Sequence, residues 1–184
     1  MNLTDLRTKI FADGAELAGM LAMYREPHIK GFTTNPTLMR KAGLTDYRAF
    51  AREVVAAIPD RPISFEVFSD DFAEMDRQAR EIASWGENVN VKIPVTNTQG
   101  EPSYGLVRTL SHAGIKLNVT AVFTLEQVRD IMAHLDPKTP AYVSVFAGRI
   151  ADTYRTPRLR RMSVRTVPDS QLRQKSITWA SRRR

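Results

Sequence analysis

The chain has 184 residues, 42% hydrophobic and 26% charged, with no cysteine; this suits one domain with a real core and excludes a disulfide framework, a Cys-based zinc site and a thiol nucleophile. The net charge of +7 is not spread over the fold: residues 154–184 carry nine Arg, one Lys and one Asp, whereas residues 1–153 are net −2. No apolar run approaches the roughly 18 residues of a membrane span, the segment Met1-Asn2-Leu3-Thr4-Asp5 does not read as a leader, and His28, His112 and His134 are too scattered for a metal site, so a soluble cytoplasmic protein with no metal and no membrane partner is expected.

Strand candidates begin near Arg7, Lys30, Pro62, Asn88, Lys116 and Ala141, at intervals of 23 to 32 residues, about one βα unit each. Side chains alternate between the two faces of a strand. In the first strand Phe11 and Asp13 share a face, and in the second Thr33 and Asn35 do. A helical stripe follows at Tyr47, Phe50, Val54, Val55 and Ile58. The third strand puts Ser64 and Glu66 together. Its helix carries Phe72, Met75, Ala79 and Ile82 behind an Asp71/Glu74 cap signal. In the fourth strand Asn90, Lys92 and Pro94 oppose Val89, Val91, Ile93 and Val95. The fifth pairs Asn118 with Thr120 and leads into a capping box, Thr124 with Gln127, and a stripe at Leu125, Val128, Met132 and Leu135. In the sixth, Ser144 faces away from Val143 and Val145.

Alternating strands and helices give the α/β class. A doubly wound sheet would make both faces of each strand apolar. Here every strand has one aliphatic and one mixed polar face, which fits a (β/α)8 TIM barrel with helices outside only. Lys92, set in a buried strand, is either a nucleophilic amine, since burial disfavours the ammonium, or half of an ion pair with Asp13 or Glu66. Those two carboxylates would transfer protons and hold a water, or balance the charge of Lys92. Thr33, Asn35, Asn118, Thr120 and Ser144 offer bonds to sugar hydroxyls, or satisfy one another at the barrel mouth. Arg149, after the sixth strand, suits a phosphate or a surface ion pair.

Two segments are specific enough to suggest a family. Gly31-Phe32-Thr33-Thr34-Asn35-Pro36-Thr37 and Val91-Lys92-Ile93-Pro94-Val95-Thr96 resemble the signatures of the transaldolase family of Schiff-base aldolases. Phe11-Ala12-Asp13-Gly14, Phe65-Glu66-Val67, Leu117-Asn118-Val119-Thr120 and Ser144-Val145-Phe146-Ala147-Gly148-Arg149 are similar to family blocks in the same order, over residues 1–153. The resemblance implies that Lys92 forms the imine with a ketose and Asp13 acts as acid/base. Glu66 and Thr120 would bind the water of imine formation. Asn35, Asn118 and Ser144, with Thr33, would orient the substrate, and Arg149 would bind its phosphate. The implied reaction transfers a dihydroxyacetone unit from sedoheptulose 7-phosphate to glyceraldehyde 3-phosphate, giving erythrose 4-phosphate and fructose 6-phosphate in the pentose phosphate pathway. Its implied partners are sugar phosphates and it needs no metal or cofactor; the residues leave a homo-oligomer open. Glu66 favours transaldolase over the related fructose-6-phosphate aldolases, lyases that carry Gln there.

From Tyr154 the pattern stops, and a composition change inside a structural unit points to a frameshift or truncation. The expected division is a partial barrel at 1–153 and a basic, aberrant tail at 154–184. A remnant seventh strand is expected at 176–181, with Ser181 and Arg183 as further phosphate ligands, and the eighth strand is missing. Two rivals stand beside the enzyme: a catalytically dead fragment, and a nucleic-acid binder using the tail. The tail has no interleaved aromatics or known module to support the second.

Overall fold

The computed structural model describes residues 8–153, the side chains to 151. Six strands alternate with helices: β1 (Ile10–Asp13), α1 (Leu17–Tyr24), β2 (Ile29–Thr33), α2 (Pro36–Lys41), α3 (Tyr47–Ala57), β3 (Ile63–Glu66), α4 (Phe72–Ala83), β4 (Val89–Pro94), α5 (Tyr104–His112), β5 (Leu117–Val122), α6 (Leu125–His134), β6 (Ala141–Val145) and α7 (Ala147–Thr153). All strand pairs are parallel and the sheet order is β1-β2-β3-β4-β5-β6. A doubly wound sheet reverses its order at a switch point; this one never does. Right-handed crossovers without a reversal put every helix on one side. Five strand spacings would hold the edges of a flat sheet about 24 Å apart, yet the rings of Phe11 in β1 and Tyr142 in β6 meet edge to face at 5.4 Å. The sheet therefore curls into an incomplete (β/α)8 barrel, with helices outside and the other face turned in on itself.

The outer face carries the core. Phe32, Ile63, Phe65, Val91, Ile93, Leu117 and Val119 are fully buried against Val54, Met75, Ala79, Val107, Leu110 and Ile131 of the helices. Side-chain caps start the helices where the sequence signals them. Asp46 accepts from Ala49 N at 2.9 Å, Asp71 from Glu74 N at 2.9 Å, and Thr124 with Gln127 closes a full capping box. Each such cap contributes about 1 kcal/mol.

Two local features depart from the alternation read in the sequence. In α6 only Ile131 is buried. Leu125 is 53% and Met132 40% exposed, so the expected stripe at 125, 128, 132 and 135 does not all face the core. Val128 and Leu135 pack partly buried against the core beside Ile131, while Leu125 and Met132 remain exposed. In β5, Val119 pairs with Val143 but Val122 with Val145, one residue more than β6 uses. Ala121 takes up that residue in the left-handed region, at φ 58°. The bulge leaves Thr120 on the inner face and returns Val122 to the outer core, where it is fully buried.

The first strand begins at Ile10 within the described range; its expected start at Arg7, the expected seventh strand at 176–181, and Ser181 and Arg183 all lie outside the described residues. No helix among the described residues is long and apolar enough to cross a membrane.

Candidate active site

Register fixes which side chains share the inner face. Asp13 pairs with Thr33, Thr33 with Ser64 and Ser64 with Asn90. One layer further, Glu66 pairs with Lys92 and Lys92 with Asn118, then Asn118 with Tyr142, and Pro94 pairs with Thr120. In-register neighbours on parallel strands point to the same side. Asp13, Thr33, Ser64, Glu66, Lys92, Asn118 and Thr120, from strands β1 to β5, therefore form one continuous surface toward the C-terminal ends of the strands, where barrel sites are built.

Lys92 is at its centre. The side chain is 9% exposed, and Nζ lies 3.1 Å from Glu66 Oε2, whose own side chain is 19% exposed. Nζ also donates to the Thr34 carbonyl at 3.1 Å. Two acceptors fix two of the amine's directions and leave the third for a reactant. Glu66 is held from behind, because the Tyr47 hydroxyl donates to its backbone carbonyl at 3.2 Å. Burial raises the Tyr47 phenol well above its ordinary value, so it stays a donor. Tyr47 is also the hub of an aromatic cluster, with ring centroids 5.9 Å from Phe65, 4.6 Å from Phe68 and 5.3 Å from Trp85.

Asp13 ends β1 and accepts a hydrogen bond from the Thr33 hydroxyl. As a residue it is exposed, since it stands at the sheet edge, while its carboxyl is crowded on the inner side. The crowding governs its proton affinity. Burial raises its pKa above the ordinary aspartate value, and the Thr33 bond and the charge of Lys92 pull it partly back.

A second polar chain crosses the lumen. The Ser144 hydroxyl donates to Asn118 Oδ1 at 2.7 Å, and Asn118 Nδ2 donates to Ser64 Oγ at 3.0 Å. All three residues are buried. Asn35 does more than the sequence reading assigned it. Its Oδ1 caps α2 by accepting from Leu38 N at 2.9 Å, which orients the amide and leaves Nδ2 for other partners. Thr120 is buried on the inner face, and Arg149 is exposed in α7, just past β6.

Thus Lys92 and Glu66, Asp13 and Thr33, and Asn118 and Ser144 are in direct contact. Thr120 is placed by register, and Asn35 and Arg149 by their elements. The sequence reading passed over Ser64 as a site residue, although its parity with Glu66 was visible. It also missed the Thr34 carbonyl, which no side-chain pattern signals. Among the described residues no group of three or more His, Cys, Asp or Glu side chains is arranged to hold a metal ion.

Thr34 has one further peculiarity: its hydroxyl is buried without a hydrogen-bond partner. A buried polar group left unmade costs about 1–3 kcal/mol. Thr34→Val, which keeps the shape and the backbone carbonyl, is expected to stabilise the fold by about 1 kcal/mol. Urea unfolding should show a higher midpoint at unchanged slope.

Residues 10–180 match the sequence model of a family described as Transaldolase/Fructose-6-phosphate aldolase. Among curated relatives, a "Probable transaldolase" of Dehalococcoides mccartyi is 37% identical over 144 residues, covering 78% of this chain and 63% of that protein. Proteins of the same description from Streptococcus agalactiae and Streptococcus pyogenes are 38% and 40% identical over the same length. The chain spans about 62–63% of the length of these relatives.

Proposed function

The chain belongs to the transaldolase/fructose-6-phosphate aldolase family, and from that premise we propose that Lys92 forms a Schiff base with a ketose phosphate and that the protein transfers a dihydroxyacetone unit to an aldose phosphate. The observation that carries this reading is the Lys92–Glu66 pair, a nearly dry amine at 3.1 Å from a carboxylate at the C-terminal end of an inner barrel face.

The chemistry follows from the atoms in reach. Glu66 accepts a proton from Lys92, freeing the lone pair to attack the ketose C2 carbonyl. The resulting carbinolamine loses water with a proton returned by Glu66, and Thr120 helps to hold that water. Asp13 then takes the proton of the C4 hydroxyl, the C3–C4 bond breaks, and the aldose departs. Its bonding electrons remain on C3, delocalised into the iminium as an enamine. The acceptor aldehyde is attacked by C3, its oxygen is protonated by Asp13, and water releases the product from Lys92. A carboxyl held above the usual range suits Asp13 for moving a proton in both directions. Asn35, Asn118, Ser144 and Thr33 would orient hydroxyls, and Arg149 would receive the phosphate. Glu66 in place of Gln favours transfer over the lyase reaction of the aldolase branch. A pathway of soluble sugar phosphates fits a cytoplasmic location.

The test is borohydride reduction in the presence of fructose 6-phosphate, followed by peptide mass mapping. The expected result is one ketose- or dihydroxyacetone-derived adduct on the peptide containing Lys92. Absence of any adduct in a sample that is folded by circular dichroism would leave the dead-fragment reading in its place.

A further inference from the structure

Ser64 lies outside the roles assigned above, yet it is fully buried on the inner face and bonds to a residue 54 positions away. The path of that bond matters. Ser64 is in β3 and Asn118 in β5, and β4 runs between them. A bond from β3 to β5 has to pass in front of β4 on the lumen side. The β4 residues facing it there are Asn90, the register partner of Ser64, and Lys92, the register partner of Asn118. The chain Ser144–Asn118–Ser64 thus spans the lumen at the level where the Lys92 side chain leaves its strand.

We propose that Ser64 is a positioning residue that anchors the Asn118 amide against the Schiff-base lysine; this rests on the imine reading above. An amide held at one end only is free to swing about its last torsion. Here Ser144 holds the oxygen and Ser64 the nitrogen, at 2.7 and 3.0 Å. Both ends tied, the amide plane is set, and its remaining N–H keeps a constant direction beside Lys92. A serine serving only the core would satisfy its hydroxyl on a nearby backbone carbonyl. Ser64 instead accepts from the neighbour of the reacting amine, and without it a buried N–H would lose its partner.

The test uses the full chain with Ser64→Ala, Asn118→Ala and the double variant. The readouts are kcat and KM for fructose 6-phosphate and the rate at which the borohydride-trappable imine forms. Ser64→Ala should lower kcat and the imine rate roughly tenfold, the scale of one neutral hydrogen bond, with KM within about twofold. The double variant should be no slower than Asn118→Ala alone, because Ser64 acts only through that amide. A Ser64→Ala protein that melts lower but turns over unchanged would overturn the proposal, as would losses that multiply in the double variant. If the unaltered chain traps no imine, the Schiff-base reading itself falls and Ser64 with it, an outcome recognisable before any variant is made.

Discussion

Lys92→Met is expected to lose turnover by at least about 10⁴-fold, the scale on which enzymes suffer when a covalent nucleophile is removed, and to give no borohydride adduct. Methionine matches the length of the lysine stem but offers no nitrogen. The loss should therefore appear in the chemistry with the fold retained. The substitution also has a structural consequence. Glu66 loses its ion-pair partner at 3.1 Å, and the Thr34 carbonyl loses a donor. Breaking a fully buried pair on one side costs about 3–5 kcal/mol. Glu66 keeps 19% of its side chain exposed, so water takes up part of the loss and the cost falls below that range. Lys92→Met combined with Glu66→Gln should regain stability without regaining activity. Denaturant titration beside the trapping assay separates the two effects.

Asp13→Asn is expected to leave imine trapping intact while lowering turnover about 10²–10⁴-fold, the usual contribution of a placed acid or base. It also makes a prediction about stability against pH. The folded protein holds the Asp13 proton more tightly than the unfolded chain does, chiefly because burial disfavours the carboxylate. Between the ordinary aspartate value and the raised folded value, the native state binds more protons, so stability falls as pH rises through that window and stays lower above it. Asparagine carries no such penalty and still accepts from Thr33. Asp13→Asn should therefore melt higher than the parent at neutral pH, and the gain should vanish below the ordinary aspartate value. A difference that grows on acidification would contradict this assignment. Melting curves at a series of pH values measure it.

Much of this site was legible because a parallel strand writes its two faces in alternating letters. Asp13, Thr33, Glu66, Lys92, Asn118 and Thr120 kept the parity read from the sequence, and register joined them into one surface, to which a hydrogen bond adds Ser144. The barrel class followed from the same asymmetry. What stayed hidden depends on distances between strands far apart in sequence. The Ser64–Asn118 bond is invisible until the curl brings β3 and β5 together. The Thr34 carbonyl belongs to the backbone and leaves no trace in side-chain type. The exposure of Leu125 and Met132 in α6 depends on which neighbours the helix has, and a helical period alone does not contain that. The shared strand face expected for Thr33 and Asn35 does not form, because β2 ends at Thr33 and Asn35, ahead of Pro36, caps α2 instead.

The left-handed Ala121 has a meaning beyond its local geometry. It is a phase slip. Upstream of it the even-numbered residues of β5, Asn118 and Thr120, belong to the lumen; downstream Val122 belongs to the core. One strand thus carries two reading frames, one for chemistry and one for docking the helix that follows. The slip costs about 1–2 kcal/mol in a residue with a β-carbon. In return the two frames are uncoupled. Substitutions that retune the α6 junction need not rotate Thr120 out of the site. Were the bulge straightened with all its residues kept, strict alternation would turn Val122 into the lumen, beside the place where water must meet the imine.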